Sequence, residues 1–275
     1  MLNLRDPVEL IDAHCHLDPE HFSEGPEAVM ARATAAGVKG FIVVGVGPDL
    51  ASARRTVALA RRSPERVGAC VGVHPEDAAT YGDALEAELR ALAAAPEVVS
   101  VGEIGLDYHY EEPPRVTQQR VFSRLISLAR DVKKPIVVHT RDAAADTLEI
   151  LEREGAREVG GIIHCFSEDR PFAARALDLG FDISFSGIVT FKSARSVADV
   201  ASWAPADRIL VETDSPYLAP PPFRGKRCEP AYVVHTAAHV ARLRGLTMEA
   251  FAATLVANTE RRFAKVFGRP SRSVL

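Results

Sequence analysis

The sequence predicts a single (β/α)8 barrel. Three observations predict it: eight short runs rich in Val and Ile, helical segments between them, and no linker anywhere in the 275 residues. The runs are Leu10–Ala13, Gly40–Val46, Val67–Val73, Val98–Val101, Pro135–Val138, Gly161–Ile163, Phe181–Phe185 and Ile209–Val211. They are continuous rather than alternating, as strands buried on both faces are. Their separation leaves room for one crossover helix each. The rival architecture, an open doubly wound sheet, carries a glycine-rich phosphate loop after its first strand. Here the first strand runs instead into His14-Cys15-His16. Length alone admits one large domain or two smaller ones. With no linker, low-complexity segment or repeat, residues 1–275 read as one domain whose site lies at the C-terminal ends of the strands.

The helices carry their own start and stop signals. Gly25-Pro26 opens one that ends at Gly37, with proline in the first turn and glycine past the last. Asp49 is placed to cap Ala51–Arg62, and Ala84–Ala94 stops before Pro96. Arg115–Val132 is amphipathic, with Val121, Phe122, Leu125, Ile126 and Leu128 on its apolar side. Asp142 is placed to cap Ala143–Glu154, and Asp169-Arg170-Pro171 opens a helix that stops at Gly180. Ser193–Trp203 and Glu229–Leu243 follow, and two short helices, Met248–Val256 and Thr259–Phe267, finish the chain.

Composition bounds the function. A hydrophobic content of 47% with 25% charged residues is that of a chain able to bury a large core. The formal net charge of −4 provides no global basic field for coating nucleic acid. Met1–Glu9 contain Asp6 and Glu9 and no apolar core, so no secretory leader is expected, and no apolar run reaches membrane-spanning length. Cys15, Cys70, Cys165 and Cys228 form no Cys-x-x-Cys pair and read as reduced thiols of a cytoplasmic protein.

The chemistry-bearing residues fall at the predicted strand ends. On a strand, residues two apart share a face, so His14 and His16 aim at one point and Cys15 faces away. Strand three ends in His74, and strand four in Gly102-Glu103-Ile104-Gly105-Leu106-Asp107. Strand five ends in His139, with Arg141 two residues on. Strand six ends in His164, and strand eight in Glu212-Thr213-Asp214. Five of the nine histidines sit at these ends and none lies within the apolar runs, which sets them on the one face where a barrel carries its site. His14, His16, His139 and His164 offer neutral nitrogens. Glu103 and Asp214 offer carboxylates, with Glu103 suited to bridging two ions.

These residues resemble the TatD family of metal-dependent deoxyribonucleases, within the amidohydrolase-like barrels. The resemblance rests on Asp12-Ala13-His14-Cys15-His16-Leu17-Asp18, Gly72-Val73-His74-Pro75 and the strand-four motif above. It continues through Pro135–Arg141, His164-Cys165-Phe166-Ser167, Glu212–Leu218 and Arg224-Gly225-Lys226-Arg227, and so spans nearly the whole chain. It implies that His14, His16, Glu103, His139, His164 and Asp214 are metal ligands for two divalent ions (Zn²⁺, Mg²⁺ or Mn²⁺). It also implies an exonuclease that hydrolyses DNA from a 3′ end. One departure is Cys228, where the family usually has asparagine after Arg-Gly-Lys-Arg.

The expected reaction is in-line attack on phosphorus by a metal-activated water, with Asp214 and Glu103 as the catalytic carboxylates. Asp107 is placed either to orient a ligand or simply to form a turn. His74, Arg141, Arg224, Lys226 and Arg227 are the candidate phosphate-gripping residues. Tyr108, Tyr110, Phe166, Tyr217 and Phe223 lie on the same loops as candidate stacking platforms. The expected partner is a single-stranded or 3′-ended nucleic acid substrate, met by a monomer away from any membrane. The alternative is a small-molecule amidohydrolase or phosphotriesterase on the same metals. Against the carboxylated-lysine version of that alternative, no identified strand end carries a lysine.

Overall fold

A computed structural model describes residues 8–268. The leader expectation for Met1–Glu9 falls mostly outside them. Eight parallel strands form one sheet in sequential order: β1 (Leu10–Cys15), β2 (Val38–Gly45), β3 (Val67–Val71), β4 (Val98–Asp107), β5 (Ile136–Arg141), β6 (Gly161–Ile163), β7 (Phe181–Phe185) and β8 (Ile209–Val211). Nine α-helices alternate with or follow them among the described residues: α1 (Pro26–Ala35), α2 (Ala51–Arg62), α3 (Asp83–Ala93), α4 (Arg115–Val132), α5 (Ala144–Arg153), α6 (Arg170–Asp178), α7 (Arg195–Trp203), α8 (Val233–Leu243) and α9 (Met248–Arg262). The sheet closes into a barrel where the end of β1 meets the segment after β8. Asp214 N–H donates to His14 O at 3.0 Å, and His16 N–H donates to Ser215 O at 2.9 Å. Closure therefore brings the two N-terminal histidines beside Asp214.

Two apolar layers hold the barrel. Alternate strand residues Ile11, Ala13, Ile42, Val44, Cys70, Val137, Ile162 and Leu210 fill the interior, where Phe263 and Phe267 join them. Their neighbours, such as Phe41, Val43, Val71, Val138 and Val211, face the helices. The same alternation carries His74, His139, His164 and Glu212 inward at the tops of β3, β5, β6 and β8.

Two register shifts turn the remaining ligand candidates in. On β1, Asp12 pairs with Phe41 but Cys15 pairs with Val43, so β1 holds one extra residue there. On β4, Gly102 pairs with Val137 and Ile104 with Val138, leaving Glu103 unopposed. A bulge of this kind re-aims side chains. Here the bulges point His14 and Glu103 toward the barrel axis while Cys15 and Ile104 stay in the outer layer. Gly105 lies just beyond the second bulge at φ +148°, and a Cβ there would meet His139 O at 1.9 Å.

Several element boundaries differ from expectation. β4 continues six residues past Val101, because Ile104 and Leu106 extend its outward apolar row through a stretch that looks polar in sequence. Met248–Val256 and Thr259–Phe267 are not two helices: α9 runs unbroken to Arg262. Asn258 is tolerated inside it because its amide donates to Ala206 O and Ile209 O, both at 2.8 Å. Asp142 does not cap α5. It pairs with His109, and the cap position falls on Ala143. Asp49 accepts from Ala51 N–H at 3.0 Å although Leu50 is the cap residue of α2. Asp169 does cap α6, accepting from Phe172 N–H at 3.0 Å.

Low on the barrel, Asp182 of β7 is fully buried and accepts from Arg208, Arg261 and Arg262. This ion cluster ties α9 to the strands.

Candidate metal centre

The C-terminal mouth of the barrel opens into a cavity of about 750 Å³. Its lining includes His16, His74, Glu103, Asp107, His139, His164 and Asp214. The buried centre of this group is Glu103, whose two oxygens face different histidines. Oε1 lies 2.6 Å from His164 Nε2, 2.8 Å from His139 Nδ1 and 3.5 Å from His74 Nε2. Oε2 lies 3.4 Å from His14 Nε2 and 3.8 Å from His16 Nε2. Asp214 Oδ1 completes the second side, 3.7 Å from His14 Nε2 and 3.6 Å from His16 Nε2.

The donor atoms suit a cation. His14 Nε2 and His16 Nε2 are 3.3 Å apart, a spacing that either a shared proton or a shared cation can bridge. A cation about 2.1 Å from each of two donors separates those donors by about 3 to 3.4 Å. Three sets of donors converge within 4.8 Å: His14, His16 and Asp214; His74, Glu103 and His139; and His14, His164 and Glu212. The residues present therefore fit divalent metal. All six ligand candidates from the sequence come together here.

Packing and hydrogen bonds hold the rings in place. The rings of His14 and His164 stack at 4.0 Å, which positions His14 although its Nδ1 is buried without a hydrogen-bond partner. His139 Nε2 lies 2.9 Å from Asp107 Oδ2. Asp107 is itself held by Gln118, which accepts from its N–H and donates to its carbonyl, both at 2.8 Å. Asp107 is thus a partner of His139 as well as the end of a strand.

Charge within the cluster is mutually compensated. Burial alone would raise the Glu103 carboxyl, but His164, His74, His139 and His14 hold it well below the ordinary range. Burial opposes protonation of His164, yet Glu103 and Glu212 raise it well above the usual imidazole value. Burial also opposes His16, which Asp214 raises, and His139, which Asp107 and Glu103 raise. His14 is lowered, first by burial and then by His164, and so is kept a neutral donor. Binding a cation here displaces protons from the imidazoles.

Two buried carboxylates had no role in the sequence reading. Glu212 accepts from Cys165 N–H at 2.6 Å and from the Ser184 hydroxyl, and its Oε1 lies 3.3 Å from His164 Nδ1. The signal for it was available, since Glu212 follows inward-facing Leu210 by two residues. Asp12 accepts from Thr213 N–H at 2.9 Å and Thr213 Oγ1 at 2.6 Å, locking the seam between β1 and β8. Burial pushes its carboxyl up to about 8.

The substrate-side candidates divide. His74 lines the cavity beside Glu103, while its Nδ1 accepts from Glu76 N–H at 3.2 Å, so it serves both a turn and the site. Arg141 lines the cavity. Arg224, Lys226 and Arg227 are exposed and lie outside that lining. Arg224 lies 3.6 Å from the centre of the Phe191 ring. Arg227 donates to Glu24 at 2.8 Å and to His21 O at 2.6 Å, so its guanidinium is engaged by protein groups. These partners are too distant in sequence for local reading to find. Cys228, at the position of departure, is buried, and its N–H donates to Pro216 O at 2.9 Å.

Comparison with known proteins identifies the family. A family model described as TatD-related DNase matches residues 11–264. The uncharacterized metal-dependent hydrolase YcfH of Escherichia coli (strain K12) is 45% identical over 262 residues, covering 94% of this chain and 95% of that one. The uncharacterized metal-dependent hydrolase YabD of Bacillus subtilis (strain 168) is 40% identical over 257 residues, 92% of this chain and 98% of the other. Among solved structures, the TatD homologue YJJV of Escherichia coli is similar with a TM-score of 0.86 at 29% identity, over 96% of this chain and 100% of its own.

Proposed function

This chain belongs to the TatD-related DNase family of metal-dependent hydrolases, and from that premise we propose that it hydrolyses phosphodiester bonds of DNA as an exonuclease working from a 3′ end. The observation that carries the reading is Glu103. One carboxylate offers an oxygen to each of two histidine groups, as a bridge between two ions requires. His14, His16 and Asp214 are assigned to one ion, and His139 and His164 to the other, with Glu103 shared. The donor mixture accepts Zn²⁺, Mg²⁺ or Mn²⁺.

When bound, the ions lower the pKa of water and neutralise phosphate charge. The side chains do the rest. Asp214 sits at the edge of the cavity with its carboxyl held below the usual range by His16 and His14 despite burial, so it is ionised; besides holding an ion, its carboxylate is placed to accept a hydrogen bond from the attacking water and orient it. Asp107 fixes the His139 ring and Glu212 backs His164. Arg141 is assigned to a phosphate oxygen at the mouth, with Arg224 and Lys226 attracting the strand from outside.

The test is hydrolysis of single-stranded DNA, RNA, cyclic amides and phosphotriesters by the Mg²⁺-, Mn²⁺- or Zn²⁺-loaded protein, with Glu103→Ala and Asp214→Ala alongside. The reading expects DNA cleavage that both substitutions abolish. Cleavage that survives both sinks the mechanism, and turnover of the small molecules alone favours the amidohydrolase alternative.

A further inference from the structure

Two carboxylates bracket the stacked rings of His14 and His164. On one edge, Nε2 of each ring faces Glu103, at 3.4 Å from His14 and 2.6 Å from His164. The other nitrogen of each ring is Nδ1. Both Nδ1 atoms are buried and lack a hydrogen-bond partner among the described residues. A buried polar atom left unpaired is costly. Glu212 is the group beside this pair. Its Oε1 lies 3.3 Å from His164 Nδ1. One nitrogen of His14, one of His164 and one oxygen of Glu212 lie within 4.8 Å of one another.

That trio has the donor atoms of a third cation site, but the protons of the rings rule one out. An imidazole whose Nε2 holds a metal keeps its single proton on Nδ1. Nδ1 is then a donor, and a cation there requires stripping the ring of its last proton. The two Nδ1–H groups need an acceptor instead, and Glu212 has room for both. A carboxylate offers about four lone-pair sites. Two are taken, by Cys165 N–H at 2.6 Å and by the Ser184 hydroxyl. Those two bonds also fix the carboxylate, which is fully buried and pinned between the end of β6 and β7.

We propose that Glu212 is a shared positioning residue, accepting Nδ1–H from both His14 and His164 and so tying a ligand of one ion to a ligand of the other. This rests on the two-ion assignment above and goes beyond a partner for His164 alone. His14 stands with His16 and Asp214, and His164 with His139. Asp107, by contrast, touches one ligand, His139. Loss of the Glu212 carboxylate therefore weakens both ions together, whereas loss of the Asp107 carboxylate weakens one.

The test loads protein labelled with ¹⁵N-histidine with Zn²⁺ and reads the imidazole N–H protons by NMR, beside competition with a chromophoric chelator. The expected result is a slowly exchanging proton on Nδ1 of both His14 and His164. Both resonances move in Glu212→Gln, and affinity for both ions falls about 10- to 100-fold. Glu212→Asp, which keeps the charge, recovers part of that affinity. Asp107→Asn weakens one ion and leaves the two resonances in place. A His14 Nδ1 without a proton in the wild type overturns the shared anchor, and this holds even where Glu212→Gln fails to fold. Loss of one ion alone in Glu212→Gln overturns it too. The two readings fail separately. One ion per chain, with both protons responding to Glu212→Gln, sinks the bridged pair and keeps the shared acceptor. Two ions per chain, with a His14 proton indifferent to Glu212, does the reverse.

Discussion

Asp107 Oδ2 lies 2.9 Å from His139 Nε2, on the opposite side of the ring from Glu103. A carboxylate behind a histidine ligand fixes its tautomer and orientation and raises its basicity. Asp107→Asn keeps the shape and removes the charge. Metal affinity measured by competition with a chromophoric chelator is expected to fall about 10- to 100-fold. An unchanged affinity means that Asp107 serves only the turn.

Gly105 packs against the carbonyl of His139, with no room for a side chain. Gly105→Ala forces β4 and β5 apart at the level of the ligand candidates. Loss of metal binding together with destabilisation of about 1 to 3 kcal/mol is expected, read by calorimetry and metal titration. Wild-type behaviour in both contradicts the close approach.

Asp182 supplies a pH prediction far from the cavity. Burial raises its carboxyl, but Arg262, Arg208 and Arg261 outweigh this and hold it below the ordinary aspartate value. A depressed acid stabilises the fold at pH above its unfolded value of about 3.9. That contribution is lost as pH falls through the folded value. Asp182→Asn is expected to cost about 3 kcal/mol at neutral pH, and less as the solution is acidified. Denaturant melts across the acid range check this, and a difference between variant and wild type that stays constant with pH contradicts it.

Arg141 ends β5 and Arg227 lies on the loop after β8, and only Arg141 lines the cavity. Arg141→Ala is expected to raise KM for DNA about tenfold and to flatten its salt dependence. Arg227→Ala is expected to change KM less than about threefold, because an exposed pair to Glu24 is worth little. Equal effects in the two variants contradict the division.

Much of this centre was legible from residue spacing. The inward parity of His74, His139 and His164 follows directly from the buried runs that precede them. His14 and His16 were correctly placed on one face, but the bulge that turns His14 inward is a property of strand pairing. The same holds for the unopposed Glu103 on β4. The length of β4 was missed because its inward residues serve the site and so are polar, which hides the strand. The engagement of Arg227 with Glu24 and the continuity of α9 through Asn258 depend on partners brought close only by barrel closure.

Glu103 is proposed to bridge a pair of ions. Its most direct test is metal content by elemental analysis after dialysis against Mn²⁺ or Zn²⁺, comparing wild type with Glu103→Gln. About two ions per chain are expected in the wild type and one or fewer in the variant. Two ions retained as tightly without the Glu103 carboxylate would contradict it.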